Sequence, residues 1–123
     1  MTSILIKNGT IITAIDTYNS DILSENGIIK CIGDNLQKLN SDTKTIDATA
    51  LYVFPGAIDA HVHMELPFMG EISADDFESG TAAGIAGGTT TIIDFVIPNR
   101  NQKLLDALKS WKEKAKKSVS DYA

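Results

Sequence analysis

The chain has 123 residues and a formal net charge of −5, from 11 basic and 16 acidic side chains. This length fits one ordinary domain, and the acidic excess argues against a nucleic-acid partner, because phosphate binding needs a concentrated positive surface. Lys7-Asn8-Gly9 interrupts the opening residues where a secretory signal needs an apolar stretch, and no run approaches the roughly 20 apolar residues of a membrane span. The lone cysteine, Cys31, has no disulfide partner within the chain. We therefore expect a cytoplasmic protein without nucleic-acid or membrane partners.

Residues 1–53 contain short β-branched runs separated by turn residues. Asn8-Gly9 stands between the runs 4–7 and 10–15, and an Asn-Gly pair in this position predicts a hairpin. Further short strands are predicted at residues 28–32 and 45–46. This pattern indicates that residues 1–53 form part of a β-sandwich.

Residues 54–123 show a different pattern, in which strands alternate with helices. Ser73 with Asp76 three residues on matches a capping box, which predicts that a helix begins at Ser73. Gly87-Gly88 is expected to end that helix, and the β-branched residues 89–93 predict a buried strand. A second helix is predicted from four apolar residues at helical spacing: Leu104, Leu108, Trp111 and Ala115. Alternation of this kind is typical of parallel α/β folds.

The chain contains two histidines, His61 and His63, and they stand at the predicted end of the first strand of the α/β part. Residues two apart in a strand share a face, so Asp59, His61 and His63 are expected to project together. Two neutral imidazoles at this spacing can bind one divalent ion, and Asp59 can accept a hydrogen bond from a ligand histidine. The alternative is a pair of hydrogen-bonded histidines with a structural role on a half-buried strand.

Other charged residues near these elements are interpreted as structural. Asp94 ends the second predicted strand, where a structural role is favoured over a catalytic one. Glu65 and Glu71 border the loop after the histidines, and loop carboxylates are usually solvated. The second helix carries a basic face, predicted to be its solvated outer face, made by Lys109, Lys112, Lys114, Lys116 and Lys117.

Three segments of the chain resemble the dihydropyrimidinase and D-hydantoinase family of cyclic amidohydrolases. They are residues 54–70 (FPGAIDAHVHMELPFMG), 74–81 (ADDFESGT) and 86–96 (AGGTTTIIDFV). The resemblance covers essentially the whole chain and is strongest from Asp47 to Pro98. Dihydroorotases and allantoinases usually lack the Leu-Pro-Phe-Met-Gly turn at residues 66–70, which favours this branch of the superfamily.

The resemblance implies an α/β fold in which part of a β-sandwich, residues 1–53, precedes the start of a (β/α)8 TIM-type barrel, residues 54–123. The barrel would be incomplete in this chain, because the fold needs about 250 residues. By the resemblance, His61 and His63 ligate the more buried of two zinc ions (Zn2+) per full-length subunit. The remaining ligands of the family, including a carboxylated lysine, come from later strands. The loop that shapes the substrate pocket carries Met64, Leu66 and Phe68, and the full-length protein is expected to be a homotetramer.

The implied activity is hydrolysis of a small cyclic amide, a 5,6-dihydropyrimidine or a hydantoin, to an N-carbamoyl amino acid. A hydroxide shared by the two zinc ions would attack the ring carbonyl. The chain alone is expected to be inactive, because it supplies at most two metal ligands. One alternative is another cyclic amidohydrolase, of the allantoinase or dihydroorotase type, and a second is a non-catalytic dihydropyrimidinase-like assembly protein. The loop 64–70 disfavours the first alternative, and the presence of both histidines disfavours the second.

Overall fold

The structure is a computed structural model, and it describes residues 2–123. The chain divides into two units, Met1–Pro55 and Gly56–Ala123. The division lies close to the change of pattern that the sequence places after residue 53. Neither of the helices within residues 2–123 has the length and apolar character needed to cross a membrane.

The first unit is built on one five-stranded mixed sheet. Its strands are β1 (Ser3–Ile12), β2 (Thr17–Glu25), β3 (Ile28–Gly33), β4 (Lys44–Asp47) and β5 (Tyr52–Val53). The order is β3-β2-β1-β4, and β5 also pairs with β1. β2 is antiparallel to both β1 and β3, whereas β4 and β5 run parallel to β1. The strands of residues 2–55 thus form a single sheet, and the sandwich stays a prediction.

The hairpin predicted at Asn8-Gly9 is wrong, because β1 continues through both residues. Asn8 has a φ of 63°, and the register against β2 shifts between Ile6 and Gly9, which marks a β-bulge. The buried Asp21 carboxylate accepts the Asn8 backbone N–H at 2.9 Å, so this amide is satisfied away from the ladder. A Cβ at Gly9 would lie 2.6 Å from Val53 Cγ2, so glycine permits the approach of β5. The sequence pair signals a positive φ, and this conformation can serve a bulge as well as a turn.

The second unit combines a parallel sheet with two helices. Its elements are β6 (Ala57–Val62), β7 (Pro67–Phe68), β8 (Glu71–Ile72), α1 (Phe77–Ala86), β9 (Thr89–Asp94), α2 (Leu104–Ala115) and β10 (Asp121–Tyr122). The sheet order is β10-β9-β6 with both pairs parallel, and β7 and β8 form a short antiparallel hairpin. Helix α1 links β6 to β9, and α2 links β9 to β10. The predicted mixed α/β alternation is therefore confirmed.

Helix α1 begins at Phe77, and its N-cap lies three residues further along the chain than Ser73, where the capping-box match placed it. Asp76 is the N-cap and accepts the Ser79 backbone N–H, while the Ser79 hydroxyl accepts the Asp76 N–H. The Ser73 hydroxyl is engaged elsewhere, because it accepts the Leu66 backbone N–H at 2.9 Å. The predicted end is confirmed: Gly87 is the C-cap, and Gly88 follows with a φ of 94°.

The core of the second unit lies between its sheet and its helices. Phe77, Ile92 and Ala115 are buried there, and three partly buried side chains pack against them: Val62, Met64 and Trp111. On α2 the buried positions are Ala107 and Ala115, whereas Leu104 is 62% exposed. The apolar face predicted for this helix is therefore correct at Trp111 and Ala115 and wrong at Leu104, which precedes the turns that pack on the core.

Candidate metal centre

His61 and His63 lie together at the carboxyl end of β6. His61 is the penultimate residue of the strand and His63 follows it directly. Their ring centroids are 5.2 Å apart with an interplanar angle of 74°, which agrees with the expectation that both rings share one side. Within residues 2–123, the side chains of Asp59 and Ser73 form hydrogen bonds with the backbone of the two histidines. Asp59 accepts the His61 N–H, and Ser73 donates to the His63 carbonyl. Both residues are exposed, so their ring nitrogens are accessible to an ion.

Asp59 contacts the main chain of the histidine segment. Its carboxylate accepts the His61 backbone N–H at 3.1 Å. The register of β6 against β9 shifts between Asp59 and Val62, so the strict alternation assumed from the sequence is interrupted here. In this structure Asp59 therefore braces the backbone that carries His61, and its predicted bond to a histidine ring stays a prediction.

Both imidazoles pack against Phe95, the residue that follows β9. The centroid of the Phe95 ring lies 4.6 Å from that of His61 and 5.6 Å from that of His63. The Phe95 backbone N–H donates to the carbonyl of Val62, between the two histidines, at 3.4 Å. Sequence reasoning gave Phe95 no role, because the parallel pairing of β6 with β9 that brings it here joins distant parts of the chain.

Asp94, at the end of β9, holds the residue after the histidine pair. One carboxylate oxygen accepts the Met64 backbone N–H at 2.8 Å, and the other accepts the Trp111 indole N–H at 3.4 Å. The carboxylate thus joins β9, the start of the loop and α2. These contacts support the structural role that the sequence favoured for this residue.

The loop after His63 places its three predicted pocket residues in different surroundings. Met64 packs against the buried cluster of the second unit. Leu66 is half-buried, and Phe68, in β7, is 68% exposed. A cavity of about 680 Å³ in this unit lies beside α2 and is lined by Leu108, Trp111 and Tyr122 among others, and not by the two histidines. The pocket role of the loop stays a prediction.

Glu65 is part of an ion-pair network that anchors this loop. Its carboxylate lies 3.0 Å from Lys117 Nζ and 3.6 Å from Lys114 Nζ, and Lys117 also contacts Asp76 at 3.4 Å. Lys114 Nζ lies 4.6 Å from the centre of the Trp111 ring. The prediction of a solvated lysine face is therefore wrong at Lys114, whose side chain is 29% exposed and pairs with Glu65. Lys117 is 50% exposed, as predicted, and its charge pairs with Glu65 and Asp76.

These contacts change the ionisation of two members of the network. Hydrogen bonds to Glu65 and then to Asp76 raise the pKa of Lys117 above its ordinary value. The Ser79 backbone N–H, which caps α1 through Asp76, is the main cause that lowers the pKa of Asp76. Both shifts favour the charged forms that make the ion pair. Glu71, in β8, is exposed, as expected for a surface carboxylate.

The described residues supply an incomplete set of metal ligands. No group of three or more His, Cys, Asp or Glu side chains within residues 2–123 is arranged to hold a metal ion. Zinc sites usually take three protein ligands or more. The histidine pair therefore fits part of a metal site, and any further protein ligands lie outside these residues.

Comparisons with known proteins give matches over nearly the whole chain. It is 53% identical over 119 residues to a D-hydantoinase of Geobacillus stearothermophilus, which covers 96% of this chain and 25% of that protein. It is 52% identical over 122 residues to a dihydropyrimidinase of Dictyostelium discoideum, with 98% of this chain and 24% of that protein covered. The chain thus spans about a quarter of the length of these relatives.

Solved structures agree with these matches. A crystal structure of a D-hydantoinase superposes with a TM-score of 0.92 at 48% identity, over 99% of this chain and 26% of that one. The L-hydantoinase of Arthrobacter aurescens, at 29% identity, gives a TM-score of 0.78 over 100% of this chain and 27% of that one. The model of the amidohydrolase family matches residues 52–120, which is more than half of the chain and includes both histidines. The chain belongs to the amidohydrolase family.

Proposed function

We propose that this chain supplies the first metal-binding strand and loop of a hydrolase that opens cyclic amide rings. The observation that carries the proposal is the pair of accessible imidazoles at the carboxyl end of a parallel strand. The similarity to D-hydantoinases and dihydropyrimidinases supports a cyclic amide as the small-molecule substrate. We propose 5,6-dihydropyrimidines or hydantoins as substrates and N-carbamoyl amino acids as products. The cytoplasmic location and the homotetramer stay predictions.

The donor chemistry of the pair fits a divalent ion such as zinc, which binds readily to neutral imidazole nitrogens. His61 and His63 would hold the ion, and Asp59 and Asp94 fix the backbone on either side of them. When bound, a divalent metal supplies Lewis acidity that polarises a carbonyl group and acidifies water. A centre with two zinc ions is part of the proposal, with its remaining ligands in segments that the relatives have and this chain lacks.

The chain by itself is expected to bind zinc weakly and to be inactive, since two ligands are fewer than a zinc site requires. The test therefore uses the protein at the length of its relatives, which is this chain continued by the rest of its reading frame. Purified with zinc, it is assayed for ring opening of dihydrouracil and hydantoin. We expect His61→Ala and His63→Ala each to lower kcat/KM at least about 100-fold, since loss of an outer-shell partner alone costs about 10- to 100-fold.

Lys109→Ala, at an exposed position of α2, is the control variant and should keep wild-type activity. Faster turnover of allantoin or dihydroorotate than of dihydrouracil would favour the alternative amidohydrolases. If the zinc-loaded protein opens none of these rings, the non-catalytic alternative is supported and the proposal is wrong. Turnover by this chain alone that depends on His61 would disprove the incomplete-site part of the proposal.

A further inference from the structure

We propose that Phe95 is a positioning residue for the histidine pair, whose ring sets the orientation of both imidazoles and thereby raises their affinity for a divalent metal. The inference rests on the proposed function in one respect, which is that His61 and His63 bind a metal. It adds a residue from a different strand that touches both candidate ligands.

The rings of Phe95, His61 and His63 lie close to one another. Phe95 lies 4.6 Å from His61 and 5.6 Å from His63, while the two histidines are 5.2 Å apart. All three separations fall in the range of about 4.5–7 Å over which aromatic rings attract each other. Each imidazole therefore contacts two rings, and a rotation of either one loses packing against Phe95. The phenyl ring restricts the rotamers of both histidines at once.

Backbone hydrogen bonds hold Phe95 beside the histidine segment. Its backbone N–H donates to Val62, between the histidines, and the preceding Asp94 accepts the Met64 N–H directly after them. The histidine segment is thus bonded at two points to residues 94 and 95. These bonds hold the Phe95 backbone beside the histidine segment, which keeps its ring within reach of both imidazoles.

The role of Phe95 differs from that of a residue in the buried core. Phe95 is 44% exposed and does not belong to the buried cluster formed by Phe77, Ile92 and Ala115. Its aromatic contacts within residues 2–123 are the two histidines. Imidazoles held in one orientation lose less freedom when a metal binds, and partners that orient metal ligands affect the affinity of the site. The ring therefore acts on the ligands more than on the stability of the fold.

The test uses the protein at the length of its relatives and measures its affinity for Zn2+ and Co2+ by competition with a chromophoric chelator. Phe95→Leu keeps an apolar side chain without a flat ring, and Phe95→Tyr keeps the ring. Outer-shell partners change metal affinity about 10- to 100-fold, so we expect Phe95→Leu to weaken binding about tenfold and Phe95→Tyr to stay within about twofold of wild type. The visible spectrum of bound Co2+ should change in the leucine variant, because the imidazoles are no longer held in one geometry. Ile97→Ala, at a position 46% exposed in the same loop, is the control and should bind as wild type does.

Equal affinity of the leucine variant and wild type would overturn the inference, and so would a tyrosine variant as weak as the leucine variant. Thermal unfolding of the metal-free proteins shows whether the leucine variant is misfolded. If it is, the metal affinity of the tyrosine variant alone is compared with that of wild type. If the protein opens cyclic amides while Phe95→Leu binds metal normally, the role of Phe95 alone is disproved. If affinity falls in that variant but no ring is opened, the proposed function alone fails. An unchanged metal affinity in His61→Ala would disprove both the role of Phe95 and the proposed function.

Discussion

Asp94, the last residue of β9, and Phe95, which follows it, both contact the histidine segment. Asp94 bonds to Trp111 of α2 and to the Met64 backbone, whereas Phe95 packs on the imidazoles. One residue therefore ties the segment to α2, and the next contacts the imidazoles that are the candidate metal ligands.

Gly56, at the start of the second unit, lies so close to Thr90 that there is no room for a side chain at this position. A Cβ built on Gly56 would lie 2.7 Å from Thr90 Cβ, and a β-branched side chain has few rotamers with which to withdraw. Overpacking of this kind costs about 1–3 kcal/mol, so we expect Gly56→Ala to lower the free energy of unfolding by about that amount. Urea unfolding followed by circular dichroism measures it.

Gly84→Ala is the matched control in the same unit, since its added Cβ would meet Thr89 Cβ at an ordinary 3.7 Å. Alanine in a helix is favoured over glycine by about 0.5–1 kcal/mol, so this variant should be neutral or more stable. Combining Gly56→Ala with Thr90→Ala should recover part of the loss. A Gly56→Ala protein as stable as wild type would show that the strand shifts at little cost.

Residue-scale features could be predicted from the sequence where their causes are local. The proximity of His61 and His63 follows from the geometry of three consecutive residues in a strand. The contacts of Phe95 with these rings depend on pairing between β6 and β9, and nothing in the local pattern specifies that register. Asn8-Gly9 shows an intermediate case: the positive φ is a local property, but the choice of a bulge depends on Asp21 and Val53 from other strands.

At the scale of elements, the loop from His63 to Asp76 is held at several points. Glu65 pairs with Lys114 and Lys117, and Lys114 also donates to the Glu65 carbonyl at 3.2 Å. The Glu65 backbone N–H donates to the carbonyl of Asp75. The Glu65 side chain is 17% exposed, so its ion pairs are less screened than those of a fully solvated glutamate. The loop is therefore fastened to α2 by charge as well as by packing.

We expect the Glu65–Lys114 pair to stabilise the second unit measurably. A double-mutant cycle with Glu65→Gln and Lys114→Met should give a coupling energy of about 0.5–1 kcal/mol, at the upper end for pairs with surface access. Amide hydrogen exchange of residues 64–72 should become faster in Glu65→Gln, because the loop loses its ionic contacts to α2. The cycle is measured by chemical unfolding at low ionic strength.

The control cycle uses Glu113→Gln and Lys116→Met, an ion pair between the last turn of α2 and its C-cap whose side chains are 62% and 66% exposed. Its coupling should be smaller, below about 0.5 kcal/mol, as for other exposed helix pairs. Equal coupling in the two cycles would contradict a special role for Glu65. Exchange that is unchanged in the loop would show that packing of Met64 alone holds it.

The elements of the second unit were largely predictable, because strand and helix periods differ and Gly87-Gly88 ends α1. The start of α1 was misplaced because Ser73 and Asp76 both have side chains that can cap, and tertiary contact decides between them. Ser73 bonds to Leu66 in the loop, which leaves Asp76 to cap the helix with Ser79. The short hairpin of β7 and β8 gave no clear sequence signal, since each strand has two residues.

For the whole molecule, the charge balance has a consequence for stability. The net charge of the chain is −5. Hydrogen bonds lower the pKa values of three of its aspartates. The main cause is the Asn8 backbone N–H for Asp21, the Thr49 side chain for Asp47, and the Ser79 backbone N–H for Asp76. Each carboxylate is therefore favoured in the folded chain relative to the unfolded chain, in which its ordinary pKa is 3.8.

The resulting linkage has a definite sign. A lowered pKa in the folded state means that, on acidification, the unfolded state binds protons first, so the free energy of unfolding rises with pH in this range. The stabilisation by the three aspartates is present above pH 3.8 and is lost as the pH falls through their lower folded values. The pH dependence is reversed for Lys117, whose pKa is raised in the folded state. Its stabilisation of the folded state is present below pH 10.5 and is lost as the pH rises through the raised pKa.

We therefore expect the free energy of unfolding to fall steadily as the pH is lowered from about 5 to about 2. Asp21→Asn should have a shallower acid dependence, because the amide does not titrate. Its single oxygen can accept only one of the two backbone N–H groups, of Asn8 and Leu36, that the two carboxylate oxygens accept. Asp34→Asn, at an exposed position in the turn after β3, is the control and should keep the wild-type slope. Urea unfolding at several pH values measures the slopes, and Asp47→Asn provides a second variant if Asp21→Asn does not fold. Slopes in both test variants as steep as that of wild type would show that these hydrogen bonds survive in the unfolded chain or contribute nothing to folding.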